Sequence, residues 1–348
     1  MTTVRINTET PYDVIIGSGL LERCGELISA VHTPCSAVLV SDSTVAPLYA
    51  EKARKSLESA GFSVSEFVFS AGEEQKNLAT FGELLGFMAA SSLTRSDIAV
   101  ALGGGVTGDL TGFAAACYER GIPFVQIPTT LLSMVDASVG GKTAVDLPEG
   151  KNLAGAFHQP LLVVCDCDCL KTLPPERISE GVAEMIKHAL ISDPSLLEPI
   201  ASGNILENAE LLVKRNVEIK RSFVVGDERD SGRRQLLNFG HTVGHAVEKL
   251  SGYSVSHGQA VSIGMVAALR GAGGADIEKI AALLEKLNLP TRCPYGAQEV
   301  YHAALGDKKR SGEYINYVVL ESPGSAKTVR MSKPEFRAFL EKAVPEGV

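Results

Sequence analysis

The sequence lacks most of what would mark a membrane, secreted or nucleic-acid-binding protein. Nowhere do about 18 consecutive apolar residues occur, so no membrane span is expected. The opening residues, Met1-Thr-Thr-Val-Arg-Ile-Asn7, show no charged-then-apolar leader, which predicts a cytoplasmic protein. No run of Lys and Arg offsets the repulsion of a phosphate backbone. With Lys+Arg at 33 against Asp+Glu at 41 the net charge is −8, and nucleic acid is not expected as a partner. Seven cysteines, an odd number in a long chain, fit reduced thiols better than a disulfide framework. The densest group, Cys165-Asp-Cys-Asp-Cys169, continues an apolar run from Leu161. On one face of a strand three thiols cannot close a tetrahedron around a metal, so buried packing is expected. There is no internal repeat and no low-complexity tract.

What is present is a chain of enzyme size. At 348 residues it exceeds the roughly 250–300 that one core organises, and 45% hydrophobic residues supply ample surface to bury, so two domains are expected. Up to about residue 170, β-branched runs alternate with amphipathic stretches. Strands are predicted at Ser36–Ser41, Val64–Phe69, Asp97–Leu102, Pro123–Ile127 and Leu161–Cys165, and helices at Thr44–Ala60, Leu78–Ser91, Asp109–Arg120 and Pro128–Ser138, behind an N-terminal hairpin over Val4–Ile16. That rhythm predicts a Rossmann-like α/β domain with a parallel sheet over residues 1–171. From residue 172 to 348 the pattern is mainly helical (Glu176–Ile191, Ser195–Ala201, Asn208–Val225, Thr242–Leu250, Gln259–Gly271, Asp276–Leu287), with a late hairpin at Ile315–Val319 and Thr328–Met331.

Glycine, at 34 residues, is in excess, and its placement carries chemistry. Gly103-Gly-Gly105-Val-Thr-Gly108-Asp109 follows an apolar strand and opens a helix, where bare backbone amides favour a pyrophosphate. The standard Rossmann turn follows the first strand and has an acid about 20 residues later. Here the turn follows a middle strand, the downstream position falls near Ile127-Pro-Thr-Thr130, and the candidate ribose acid is upstream at Asp42. Gly140-Gly-Lys142-Thr143 ends like a P-loop, but Asp136 stands where that motif needs glycine, so an NTPase is not expected.

In Asn238-Phe-Gly-His241-Thr-Val-Gly-His245-Ala-Val-Glu248 two imidazoles sit at i, i+4, and His257 follows. Neutral imidazoles suit zinc, and a catalytic zinc takes three protein ligands with one position open. Spacing alone pairs His241 with His245 and leaves Glu248 or Glu184 to complete the set. Cations in apolar or glycine-rich settings (Arg120, Lys142, Lys151, Lys187, Lys220, Arg234) together describe a pocket for a substrate bearing phosphate and carboxylate.

The glycine turn, Ile127-Pro-Thr-Thr-Leu-Leu132, Asp136-Ala-Ser-Val-Gly-Gly-Lys-Thr143, Gly150-Lys-Asn-Leu-Ala-Gly-Ala-Phe157, Glu184-Met-Ile-Lys187, Leu237-Asn-Phe-Gly-His-Thr-Val-Gly-His245 and His257-Gly258 resemble, in order and over nearly the whole chain, the 3-dehydroquinate synthase family of sugar-phosphate cyclases. The resemblance implies NAD⁺, a divalent metal (Zn²⁺ or Co²⁺), a sugar-phosphate substrate and a homodimer. It places the metal on Glu184, His241 and His257, which makes His245 a substrate-side or proton-relay residue. It places NAD⁺ on Asp42, Gly72, Glu73, Lys76, Gly104, Gly105, Val106, Asp109, Thr129, Thr130, Cys169 and Thr172, with Lys142 and Lys151 between cofactor and substrate. Substrate contacts are implied for Asp136, Lys142, Asn152, Lys187, Lys220, Arg234, Asn238 and Lys309 or its neighbour Lys308, with Arg120 supplied by a neighbouring subunit. Ala144-Val-Asp146 departs from the family's usual Gly-Val-Asn. The implied reaction converts 3-deoxy-D-arabino-heptulosonate 7-phosphate to 3-dehydroquinate and phosphate by transient oxidation, β-elimination, reduction, ring opening and aldol closure. Inosose and valiolone synthases lack the substrate carboxylate that Lys220 and Arg234 suit. A metal-dependent polyol dehydrogenase has no need of so many phosphate-facing cations, and a nucleotide-sensing regulator has no need of the metal set.

Overall fold

The computed structural model describes residues 1–274, 276–306 and 313–345. They form two compact units, one of Met1–Leu173 with Asn208–Arg229 and the other of Pro174–Glu207 with the described residues from Asp230 on.

The first unit is built on seven strands: β1 (Thr2–Ile6), β2 (Tyr12–Gly17), β3 (Ser36–Asp42), β4 (Ser63–Phe69), β5 (Ile98–Gly103), β6 (Phe124–Pro128) and β9 (Leu162–Asp166). Their order is β1-β2-β9-β6-β5-β3-β4, and the pairing is parallel except between β1 and β2. Alternation along each strand feeds two cores. Ala37, Leu39, Ile98, Val100 and Leu102 meet the helices Cys24–Ser29 and Ala46–Ser59 on one face. Val38, Val40, Ala99 and Phe124 meet Leu78–Ala90 and Gly105–Cys117 on the other. A parallel sheet buried on both faces explains why its strands read as unbroken apolar runs. β4 lies on one side of β3 and β5 on the other, so strand order reverses at the β3/β5 boundary. A doubly wound sheet places its ligand crevice at such a point.

Several elements differ from expectation. A ribbon of β7 (Lys142–Leu147) and β8 (Gly150–Phe157) pairs antiparallel where no strand was predicted. The predicted helix Pro128–Ser138 shrinks to a turn over Ser133–Ala137, since Thr130 and Ser133 bond one another and Gly140 and Gly141 at φ +102° and +67° end it. β9 ends at Asp166, whose carboxylate accepts from the amides of Gly19, Leu21 and Asp168, so Cys167 and Cys169 leave the strand for a short helical turn. All three cysteines of that cluster are buried and free. The compact units also divide the chain differently from a cut at residue 172. The helix Ala209–Val224 packs its apolar stripe on β1, β2 and the Ser133–Ala137 turn. Helical periodicity shows which face is apolar but not which partner covers it.

The second unit holds helices Pro175–Ile191, His241–Leu250, His257–Ala272, Ile277–Lys286, Ala297–Gly306 and Lys333–Ala343, with the antiparallel hairpin β10 (Tyr314–Ser322) and β11 (Ser325–Ser332). Two of these helices, Ala297–Gly306 and Lys333–Ala343, were not anticipated; the capping box of Ser332 and Glu335 was the available signal for the second. Three of its helices close on one another through glycine. A Cβ on Gly264 would lie 1.8 Å from the Gly240 carbonyl oxygen, one on Gly244 3.0 Å from the Ala260 oxygen, and one on Gly258 2.4 Å from Glu180 Cα. Among the described residues no helix is long and apolar enough to cross a membrane.

Gly264→Ala is expected to cost more than about 3 kcal/mol, since backbone rather than a side-chain tip must move. Gly86→Ala, in an exposed helix with open space around it, should instead stabilise by about 1 kcal/mol. Chemical denaturation of the two variants measures both; equal midpoints would refute the packing role of Gly264.

Candidate active site

In the first unit the uniformly buried strand β5 delivers Gly104 as the N-cap of helix Gly105–Cys117, whose first amides have no intrahelical acceptor. The glycines of this turn divide by role. A Cβ on Gly103 would lie 2.4 Å from Thr107 Oγ1 and 2.7 Å from Thr107 Cβ, so packing demands that glycine, whereas one on Gly108 would meet the tip of the Gln126 side chain, Oε1 at 2.6 Å. At Gly104 and Gly105 the nearest atoms, Thr130 Cγ2 and Ala137 Cβ, are 3.2 and 3.5 Å away. There the missing side chain leaves the amides open to a ligand. Val106 follows on the helix, and the Thr129 amide donates to the Gly103 carbonyl at 3.0 Å.

Asp42 ends β3, which pairs with β5 in register Val40 to Ala101. Its carboxylate accepts from the amides of Thr44 and Val45 at 2.8 and 3.0 Å, and Thr107 Oγ1 lies 3.4 Å from its other oxygen. The acid therefore stands beside the glycine turn at the strand-order reversal, although 61 residues of sequence separate it from Gly103. Tyr49, on the helix that follows β3, holds Thr172 Oγ1 at 2.5 Å and donates to the Cys169 carbonyl at 3.1 Å.

A second group converges around Lys76, which is 5% exposed and lies 2.6 Å from both Asp109 Oδ2 and Asn152 Oδ1. Burial disfavours its charge, but Asp109, Glu73 and Asp146 outweigh burial and raise its pKa. Burial also raises the pKa of Asp109, with the Lys76 ammonium opposing. Gly72, at φ +132°, turns the chain into Glu73, which pairs with Lys151 at 3.3 Å. Asn152 is held at φ +56°, its amide donating to Asp146 Oδ1 at 2.8 Å. Asp146 was not picked as a site residue; its departure from the family's usual asparagine was the signal. Lys220, on the returning helix, reaches Asp136 Oδ1 at 2.8 Å and also the Asp136 carbonyl. Lys142 opens β7 and is exposed. Arg120 is not brought to this group. It is exposed at φ +70° just past the far end of helix Gly105–Cys117, about 20 Å from the glycine turn at 1.5 Å rise per residue.

The second unit gathers the metal candidates. The donor atoms of Glu184, His241 and His257 all lie within 4.8 Å of one another, with Glu184 Oε1 3.7 Å from His241 Nε2 and 3.4 Å from His257 Nε2. Tetrahedral ligands about 2.0–2.1 Å from zinc stand roughly 3.3–3.5 Å apart, so two imidazole nitrogens and one carboxylate oxygen fit such an ion with little movement. The His241 Nδ1 sits 3.1 Å from the Phe239 carbonyl, which fixes that nitrogen as the donor and leaves Nε2 as the ligand. Burial and the nearby Lys187 charge push the pKa of His241 down to about 3, keeping it neutral. Burial acts the same way on His257, but Glu184 and Glu248 overcome it and push its pKa up to about 10. A cation entering the cluster would take the place of that proton. Lys187, 1% exposed, forms a close ion pair with Glu184.

Spacing alone had paired His241 with His245. His245 is exposed and its ring centroid lies 5.3 Å from that of His241 and 6.2 Å from that of His257, and it shares the alternative donor group His245, Glu248 and His257. Arg234 is almost fully buried, and with Asn238 it belongs to the turn Arg233–Asn238 that leads into His241. Lys308 and Lys309 lie outside the described residues.

Two variants test the halves separately. Gly105→Ala should keep the melting temperature and lower dinucleotide affinity more than tenfold; unchanged affinity by calorimetry would remove the turn from the site. His241→Ala should abolish stoichiometric metal by elemental analysis while the fold, read by circular dichroism, persists.

The chain matches the N-terminal 3-dehydroquinate synthase family model over residues 66–180 and the C-terminal one over residues 181–310. It is 44% identical over 345 residues to 3-dehydroquinate synthase of Streptococcus mutans, covering 95% of this chain and 97% of that one. It is 42% identical to the Enterococcus faecalis 3-dehydroquinate synthase, with 98% of each covered. Among solved structures, 2-epi-5-epi-valiolone synthase from Streptomyces hygroscopicus subsp. jinggangensis with NAD⁺ and Zn²⁺ bound superposes with a TM-score of 0.86 at 30% identity, covering 95% of this chain and 96% of that one. A probable glycerol dehydrogenase from Sinorhizobium meliloti shares the fold at a TM-score of 0.64 and 15% identity, with 95% of each chain covered. The chain belongs to the 3-dehydroquinate synthase family.

Proposed function

We propose that this protein is a 3-dehydroquinate synthase, converting 3-deoxy-D-arabino-heptulosonate 7-phosphate to 3-dehydroquinate and phosphate. The observation that carries the reading is one chain holding both an open glycine turn beside Asp42, in the unit with the buried cations Lys76 and Lys220, and a two-imidazole, one-carboxylate cluster, in the unit with the buried cations Lys187 and Arg234. Glu184, His241 and His257 would hold a divalent zinc or cobalt ion, and the amides of Gly104 and Gly105 with Asp42 would hold NAD⁺. When bound, the metal supplies Lewis acidity toward a ring hydroxyl and NAD⁺ supplies a reversible hydride acceptor.

The chain's own groups bind and orient. Arg234 and Lys220 suit the substrate carboxylate, the first fixed by burial and the second by Asp136. Lys142, Lys151 and Asn152 sit on the β7–β8 ribbon, where Lys76 and Asp146 hold Asn152 in its left-handed conformation ready for the phosphate side. His245, exposed with its ring centroid 5.3 Å from that of His241, would move a proton. Arg120, remote from the glycine turn in its own chain, fits supply of a phosphate contact from a second copy, and so a homodimer. Free, largely buried cysteines accord with a cytoplasmic location.

Related cyclases making an inosose or a valiolone are the second reading, and the retention of both Lys220 and Arg234 favours a carboxylate-bearing substrate. Purified protein with metal and NAD⁺ at a small fraction of the substrate concentration should release stoichiometric phosphate with no accumulation of NADH. A demand for stoichiometric NAD⁺, or phosphate released only from a sugar phosphate without carboxylate, rejects the assignment.

A further inference from the structure

We propose that Glu248 is a positioning residue for the metal: its carboxylate accepts from Nδ1 of His257 and thereby presents the opposite nitrogen, Nε2, to the cation. The inference rests on the metal reading above. Glu248 is 2% exposed, on the helix that carries His241, and its Oε1 lies 3.5 Å from His257 Nδ1. His241, His245 and Glu248 fall at i, i+4 and i+7, on one side of that helix. The chain then reverses through Ser251–Ser256, with the Tyr253 amide on the Glu248 carbonyl at 2.8 Å and Val255 on Ser251 Oγ at 3.2 Å. A capping box of Ser256 and Gln259 starts the next helix at His257, so the ring returns over Glu248.

Geometry separates this role from direct ligation. The donor atoms of His245, Glu248 and His257 also cluster within 4.8 Å, but Glu248 meets the Nδ1 side of His257, whereas Glu184 meets its Nε2 side at 3.4 Å. A neutral imidazole offers one lone pair and one N–H, so a carboxylate on Nδ1 assigns the proton there and the lone pair to the Glu184 side. The two histidine ligands are then tied differently. His241 donates to a backbone carbonyl at 3.1 Å, His257 to a carboxylate. A carboxylate partner raises ligand basicity more, which makes His257 the stronger imidazole of the pair.

The test is zinc affinity measured against a competing chelator for wild type, Glu248→Ala and Glu248→Gln. It is joined by the visible spectrum of the cobalt-loaded proteins and the imidazole N–H resonances of the zinc-loaded ones. Glu248→Ala should bind zinc about 10–100-fold more weakly, and Glu248→Gln, which keeps shape and a hydrogen-bond acceptor, should fall between it and wild type. Both should keep the intensity of the cobalt spectrum while the His257 Nδ1–H resonance moves upfield. Should the alanine variant fail to fold, the isosteric glutamine variant still carries the affinity and resonance comparison. Affinity within about twofold of wild type in the folded variants overturns the proposal, and so does a cobalt spectrum that shows a lost ligand. A wild-type chain that takes up no zinc sinks the metal reading and this inference together.

Discussion

Everything the second unit does depends on three helices approaching more closely than side chains allow. Glu184, His241 and His257 lie on separate helices, and their donor atoms must come within a few ångströms of one point. Gly264 against Gly240, Gly244 against Ala260 and Gly258 against Glu180 remove the Cβ atoms that would hold the backbones apart. Each of these glycines is within a turn or two of His241, His257 or Glu184, so the contact that sets helix spacing also sets the spacing of the donor atoms. The same closeness buries Lys187 and Glu248, which pair with Glu184 and His257. An unpaired charge at such depth would be costly, so the cluster carries its own neutralising partners.

The first unit solves a different problem with the same residue. There glycine is used partly for packing, at Gly103 and, against a side-chain tip, at Gly108, and partly for access, at Gly104 and Gly105. A motif search treats the four alike, and only the surroundings distinguish them. The position of Asp42 follows from topology: the strand that neighbours the glycine turn at the reversal of strand order precedes it in sequence, so the acid is upstream.

Much of this was legible beforehand, and the misses share a cause. β5, β6 and β9 are fully buried and β3 is buried between its ends, so their apolar runs predicted them within a residue or so, and helices such as Ala46–Ser59, Leu78–Ala90 and Pro175–Ile191 were equally plain. The β7–β8 ribbon was missed because Gly, Lys and Asn within Gly150–Phe157 carry no alternation; its strands pair with each other, and β7 packs on helix Gly105–Cys117 with the Asp146 amide on the Lys76 carbonyl. The clustering of His257 with His241 and Glu184 was invisible to spacing, since it depends on a chain reversal that returns one helix start over another. The resemblance supplied that grouping, and Glu184 Oε1 lies 3.7 and 3.4 Å from the two rings. The ownership of Lys220 was hidden for a similar reason: nothing in an amphipathic helix names the sheet it will cover.

The return of this helix to the first unit bears on how the polypeptide is made. The chain leaves the first unit at Leu173, lays down Pro174–Glu207 in the second, and comes back with Asn208–Arg229 before leaving again. During synthesis the sheet is therefore translated long before the helix that covers β1 and β2, and the first unit cannot reach its final packing until the ribosome has passed Arg229. A nascent chain stopped at Glu207 would leave β1, β2 and the Ser133–Ala137 turn without the helix that packs on them, and Asp136 without Lys220.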